Sequence, residues 1–450
     1  MATRRQELQA HRFMVRRLVA GLVGGEPGAA QPPGQRLKTG VLLGTALGVL
    51  GVGGAATWGL VSPKADSAWR DGQSVVVEKG TYNQYLYTGG VLHQVLNQAS
   101  ARLALPKYAV RTVPASALKD VPRGAPVGIP GAPTDLPDPA SLLAGAWTVC
   151  SSPGPAGKPQ VSAALGVDVA GADVAGGQVL YVGVGDARYL VWDGHRHLLK
   201  DPLAVTSAFQ MAAAQPAPVG GPWLNAVPPG SDLAPLSIGA RTPAGDLGTV
   251  GDLYTYQDSS GGYQYVTTAQ GLTPVTPVQA ALLRAGGSPA PKPLDPNRLV
   301  AAKAGNKVTA PLAGDLPAAL PTPAPSDGVC LTATPGTGTD PAYRLRTATP
   351  AAIDAAGAWS PADGAGGRAN RVLVRPGGGA LATSTAGGVP QLLTAVGLRF
   401  PIASKDDLGR LGLTDAPTSV PAALLNLFPE GPALSAADAR TPRPATGSEP

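Results

Sequence analysis

From Thr39 to Val61 the chain runs without a single charge. At about 1.5 Å per residue, a helix over that run crosses a hydrocarbon core of roughly 30 Å. The glycines in it lower helix propensity in water, but in lipid they let a second helix come close. Gly44 and Gly48 stand in the G-x-x-x-G spacing that favours such packing. Trp58 sits near the outer end, where an interfacial aromatic belongs. A cleaved leader has an apolar core of about 7–15 residues close to the N-terminus. This run is longer and begins only at Thr39, so an uncleaved transmembrane anchor over 39–61 is expected.

Charge gives the span its direction. The chain has 35 Lys+Arg against 29 Asp+Glu, and residues 1–38 carry +5 of the net +6. The remainder is close to neutral, so the basicity is a topology signal and not a nucleic-acid footprint. It puts the tail 1–38 in the cytoplasm and everything after the span on the extracytoplasmic side. Within the tail, 100° per residue sets Leu8, Met14, Val15, Leu18, Val19, Leu22 and Val23 on one arc, with Arg16 and Arg17 largely opposite and Arg12 at its border. A membrane-proximal amphipathic helix follows, with Leu8, Arg12, Phe13, Arg16, Arg17 and Leu18 as candidate contact residues. Such a helix suits either an anionic inner leaflet or a partner subunit.

Only two cysteines occur, Cys150 and Cys330, both beyond the span. An even pair in an oxidising compartment reads as one disulfide, here closing a long loop from position 150 to position 330. With 60 Gly and 48 Pro, long loops are expected around a modest folded core.

Four segments share a strand, Gly-containing turn, strand pattern: Tyr85–Val95, Tyr189–Leu199, Tyr265–Val275 and Leu392–Ile402. Asp193-Gly194 is a two-residue hairpin signal. Each is followed by a helix-like stretch: Leu92–Leu103, Val205–Ala214, Val278–Leu283 and Lys405–Leu411. A second echo is Val121-Pro-Arg-Gly124, Val227-Pro-Pro-Gly230 and Phe428-Pro-Glu-Gly431. Short apolar strands surround the cysteines, and Pro-rich connections separate the rest. The fold class expected is α+β. A tail (1–38) and a transmembrane helix (39–61) precede the first β-hairpin/helix repeat (62–140). A disulfide-linked central core takes 141–180 and 328–370. Further repeats take 181–245, 246–327 and 371–437, the last with a first strand near Arg371–Arg375, and 438–450 is a disordered tail.

Chemistry leaves little trace. His195 and His197 alternate on a strand, but a zinc site needs three or four ligands, so exposed hairpin residues are expected and no metal. No Gly-x-Ser-x-Gly occurs. The single Gly-Lys, Gly157-Lys158, is followed by Pro159 where a phosphate loop needs Ser or Thr at the head of a helix. Asp406-Asp407 suits a helix N-terminus. No catalytic constellation and no cofactor are expected.

Taken in order, several segments carry a resemblance. They are Gln9-Ala-His-Arg-Phe-Met-Val-Arg-Arg-Leu18, the span, Trp69-Arg-Asp-Gly-Gln-Ser-Val-Val-Val-Glu78 and Leu92-His-Gln-Val-Leu-Asn-Gln-Ala-Ser-Ala101. Val127-Gly-Ile-Pro-Gly-Ala-Pro133, Trp147-Thr-Val-Cys150 and Leu425-Asn-Leu-Phe-Pro-Glu-Gly431 follow them. Together they resemble the EccB family, a single-pass core component of the actinobacterial type VII (ESX) secretion system. The resemblance implies an elongated extracytoplasmic domain with a disulfide-linked centre and four repeats similar to wall-binding modules of phage lysins. It also implies self-association through that domain and assembly with EccC, EccD and EccE into a membrane complex exporting WXG-type proteins. Two further readings remain: a membrane-anchored cell-wall binding module, and an extracytoplasmic ATPase, a label the family sometimes carries.

Overall fold

A computed structural model describes residues 4–24 and 67–443, apart from 313, 315, 318, 325, 326 and 337–340. The run Thr39–Val61, with Gly44 and Gly48, lies outside the described residues. Among those described, no helix is long and apolar enough to cross a membrane. The backbone falls into two compact units: residues 1–72 with 113–120, and residues 73–112 with 121–450. In the first, the tail forms one helix, Arg4–Gly24.

The second unit is α+β. Its central sheet has seven strands in the order Ser360–Pro361, Arg371–Val374, Pro159–Leu165, Trp147–Pro153, Val329–Thr334, Ala342–Thr347 and Ala172–Asp173. Trp147–Ser152 is buried residue after residue, as a middle strand covered on both faces must be. Arg371–Val374 was expected to open the fourth repeat. It pairs instead in parallel with Ser162–Leu165, and Val372, Leu373 and Val374 are all buried. An unbroken apolar run suits a covered central strand better than a half-exposed hairpin.

Around this sheet stand four smaller ones, each built on a three-stranded antiparallel meander. The strands are Val75–Lys79, Gln84–Thr88 and Val91–Val95 in the first; Gln178–Val184, Ala187–Trp192 and His195–Leu198 in the second. Leu253–Asp258, Gly261–Thr268 and Gly271–Val275 form the third; Ala380–Ser384, Gln391–Leu393 and Arg399–Pro401 the fourth. Asp193 and Gly194 both take positive φ (48° and 76°), the two-residue turn that matches strand twist. The helix read from Leu92 begins only at Gln98, because Asn97 caps it through the Ser100 N–H, and Val91–Val95 is strand. Equivalent helices follow the other meanders at Pro202–Ala208, Pro277–Ala285 and Lys405–Leu411.

The Pro-x-Gly echo has a structural cause. In every meander the third strand donates to a later segment running parallel to it: Leu92 N–H to Pro122 O, Arg196 to Pro228, Leu272 to Lys307 and Arg399 to Pro429, at 2.7–2.9 Å. The next third-strand side chain then lies over the second residue after that acceptor. The pairs are His93 on Gly124, His197 on Gly230, Phe400 on Gly431 and, without a ring, Thr273 on Thr309. A Cβ on the three glycines would come within 2.5, 2.5 and 2.3 Å of the ring. Thr273 and Thr309 join by their hydroxyls at 2.7 Å. His197 is therefore not the exposed hairpin residue expected: it is 4% accessible, and its Nδ1–H donates to Ser231 O at 2.8 Å. His93 does the same to Ala125 O at 2.8 Å.

The helices tie the sheets in pairs. Gln98–Leu103 packs on Lys405–Leu411, burying Ala99, Leu103 and Leu411 with Phe400 and Leu434 in one cluster of the first and fourth sheets. Pro202–Ala208 packs on Pro277–Ala285, where Val205, Phe209, Val278 and Leu282 join the second and third. The tail expected to be disordered from Asp438 is ordered through Arg443. Arg440 Nε donates to Ala104 O at 2.8 Å, and Arg443 N and Nε donate to Pro126 O and Gly128 O at 2.7 and 3.1 Å. Two guanidiniums that satisfy backbone carbonyls of the first repeat fix a segment whose composition alone suggests none of this.

Ring-on-glycine packing makes a prediction. Gly230→Ala and Gly431→Ala should each cost about 1–3 kcal/mol by overpacking. Gly409→Ala, in the Lys405–Leu411 helix with nothing near its added Cβ, should gain up to about 1 kcal/mol. Thermal unfolding of the three variants checks both signs.

Candidate functional site

Cys150 and Cys330 lie in register on neighbouring antiparallel strands, with Val149 opposite Leu331 and Ser151 opposite Val329. Their Cα atoms are 4.0 Å apart and the two are disulfide-bonded. Val169, Ala348 and Ile353 seal the bridge, with Ala356 and Trp359 over them, so each cysteine is only 1% accessible. On the opposite face Trp147, Val149, Val161, Ala163 and Leu331 enter the largest core. There Trp147 meets Phe428, which opens the last of the three Pro-x-Gly segments, edge to face at 5.6 Å, and Trp223 and Leu224 arrive from the helix just before the second. The site is thus a covalent clasp on a sheet whose other face anchors neighbouring sheets.

Arginines bind the sheet's borders. Arg344 and Arg346 both meet Asp173 on the edge strand, and Arg346 also holds Asp168 at 2.7 Å and Val169 O at 3.0 Å. The hydrogen bond that Arg346 donates to the Asp168 carboxylate raises its guanidinium above the ordinary value. Arg371 bridges Asp354 at 2.6 Å and Ser162 Oγ at 2.7 Å while lying 4.8 Å from the Trp359 ring, which fixes the cover over the disulfide. Sequence reasoning misses these groups, because Asp168, Asp173 and Ser162 are remote in the chain from the arginines they meet and no local pattern links them.

The third sheet holds a buried carboxylate. Burial pushes Asp252 up, but Arg241 at 2.8 Å, the Thr249 N–H and the Lys292 charge outweigh that and leave it below its ordinary value. Asp407 lies in the first turn of its helix, as its position promised, where its N–H meets the Ser404 cap. Its Oδ1 also accepts from the Ala436 N–H at 2.9 Å.

The remaining candidates show no catalytic geometry. Gly157-Lys158 is the turn between Trp147–Pro153 and Pro159–Leu165, and the Lys158 carbonyl accepts from Gly154 N–H at 2.9 Å. A strand, not a helix, follows it, so no row of N–H groups faces a common point. His195 bonds the carbonyl of Asp193 in its own turn at 2.9 Å. Among the described residues no group of three or more His, Cys, Asp or Glu could hold a metal ion. On the N-terminal helix, Leu8, Arg12, Phe13, Arg16, Arg17 and Leu18 are all solvent-exposed.

A disulfide-clasped central sheet carrying four related meanders defines a structural, repeat-built protein. A family model described as "Type VII secretion system ESX-1, transport TM domain B" matches residues 1–446. The chain therefore belongs to the EccB family of type VII secretion components. It is 29% identical to the ESX-3 secretion system ATPase EccB3 of Mycobacterium tuberculosis, over 97% of this chain and 88% of that protein. The namesake in Mycolicibacterium smegmatis is also 29% identical, over 99% and 92%. A chain of an intact ESX-5 inner membrane complex shares the fold, with TM-score 0.70 and 23% identity over 100% of this chain and 97% of that one. A chain of the EccB3 dimer from the ESX-3 core complex gives TM-score 0.65 and 27% identity, over 82% and 99%.

The clasp and the buried carboxylate each make a prediction. Replacing both cysteines by alanine should lower stability by about 2–5 kcal/mol, and wild-type thiols should resist labelling under reductant until the chain unfolds. Asp252 has its folded value depressed below 3.8, so its stabilisation is complete above that and is lost as pH falls through the folded value. The unfolding midpoint should therefore fall more steeply with acid, below about pH 4, in the wild type than in Asp252→Asn.

Proposed function

We propose that this chain is a structural membrane subunit of a type VII export complex, scaffolding its extracytoplasmic side for secretion of WXG-type proteins. Thr39–Val61 is the single membrane span, residues 1–38 are cytoplasmic, and the second compact unit lies outside. The observation that carries this reading is the Cys150–Cys330 clasp. A buried disulfide in the central strand pair belongs to an oxidising compartment, and its core-facing side binds sheets contributed by distant parts of the chain.

The four meanders are four repeats, and the third-strand pairs His93/Gly124, His197/Gly230, Thr273/Thr309 and Phe400/Gly431 are their shared signature. The repeat boundaries accordingly run near 73–133, 178–236, 246–312 and 379–443. EccC, EccD and EccE are the partner subunits, and a relative described as an EccB3 dimer supports self-association of the outer unit.

The ATPase in the relatives' names finds no support in Gly157-Lys158, which lies in a β-hairpin turn and precedes a proline. A scaffold role asks nothing of that lysine. Affinity capture of the tagged full chain from membranes should bring down EccC- and EccD-type subunits. Lys158→Ala should leave complex recovery and any ATP turnover of the capture unchanged. Failure to recover either partner under conditions that preserve the complex would count against the scaffold reading.

A further inference from the structure

We propose that the helix Arg4–Gly24 lies flat on the anionic cytoplasmic leaflet, inserting its second half by an aliphatic stripe. The proposal rests on the reading of Thr39–Val61 as a membrane span. Met14, Val15, Leu18, Val19 and Leu22 fall within an arc of about 140° at 100° per residue. All five are exposed, Leu18 by 63% and Leu22 by 84%. An apolar stripe this exposed is expensive in water and calls for an occupant.

Charge and tether identify it. The helix carries Arg4, Arg5, Arg12, Arg16 and Arg17 against the single acid Glu7, so its surroundings are attractive to anions. By the same angular count Arg12 borders the stripe, at the height where an interfacial helix meets headgroups, and Arg16 lies beyond it toward the polar face. Glu7 and His11 fall inside the arc, which limits the inserted face to the second half. The stripe is wholly aliphatic apart from Met14, whereas protein interfaces are dominated by aromatic and arginine anchors at their centre. Phe13, the helix's one aromatic, points to the other side. At about 3.5 Å per residue, the stretch from Gly24 to Thr39 reaches no more than roughly 50 Å, so a spanning segment holds the helix beside the bilayer permanently. Tethering makes a weakly amphipathic helix sufficient, because its encounter with lipid is intramolecular.

The test uses the full chain in nanodiscs of phosphatidylcholine with and without phosphatidylglycerol. Both native cysteines are disulfide-bonded, so a nitroxide reports a single introduced site. Leu18→Cys and Leu22→Cys labels should favour oxygen over a water-soluble nickel relaxant when phosphatidylglycerol is present, and lose that preference without it. A Phe13→Cys label should stay aqueous in both. Adding Arg12→Gln and Arg16→Gln should lower the lipid-bound to free ratio about fivefold per residue. Gly48→Cys reports the span independently. A deep Gly48 label with an aqueous Leu18 label in anionic discs overturns the helix proposal and leaves the span standing. A Leu18 label shielded from both relaxants only after partner subunits are added overturns it in favour of a protein surface. An aqueous Gly48 label removes the span and the proposal with it.

Discussion

The pairing of Trp147–Pro153 with Val329–Thr334 is the contact on which the rest of the second unit depends. It joins cysteines 180 residues apart, fixes the two strands in register from Trp147 to Ser151 and locks them with a disulfide. Everything between those strands, including the second and third sheets, is a loop closed at this point. Closing so long a loop costs chain entropy that two strands alone offset poorly, and the covalent bond removes most of that cost from the unfolded side. On the far side of Trp147–Pro153 the sheet continues through Pro159–Leu165 to Arg371–Val374, which joins it in parallel.

The second level of order is repetition with substitution. The same parallel hydrogen bond recurs in all four meanders, yet the side-chain pair beside it is histidine on glycine twice, phenylalanine on glycine once and threonine on threonine once. A ring needs a partner without a Cβ; a hydroxyl can meet another hydroxyl. Both solutions keep the third strand beside its neighbour in the same hydrogen-bonded arrangement. Because each repeat is too small to bury its helix alone, helices pair across repeats, the first with the fourth and the second with the third. The two ends of the second unit therefore meet, and Arg440 and Arg443 close that meeting through backbone carbonyls.

Much of this is legible in the sequence, for identifiable reasons. Turn chemistry at Asp193-Gly194 and alternating apolar residues mark the hairpins, and cysteine count with compartment marks the disulfide. The Pro-x-Gly echo is visible, but it covers only three repeats, since the third replaces glycine with Thr309. Leu92, Val95, Ala99 and Leu103 have spacings of three and four that imitate one helix, although the Asn97 cap divides strand from helix inside that run. His197 reads as a surface residue because nothing local shows that Gly230 will lie against its ring. The ion pairs of Arg346 with Asp168 and Asp173 are long-range and have no sequence signature at all.

If the central strand pair is the hub, native-state hydrogen exchange of the oxidised full chain will show it. Amides of Val149–Ser152 and Cys330–Ala333 should be among the last to exchange, and conditions that release them should release all four repeats together. Exchange of the central strands while the repeats stay protected would mean that the repeats fold independently, and that the disulfide-clasped sheet is a linker and not the scaffold's centre.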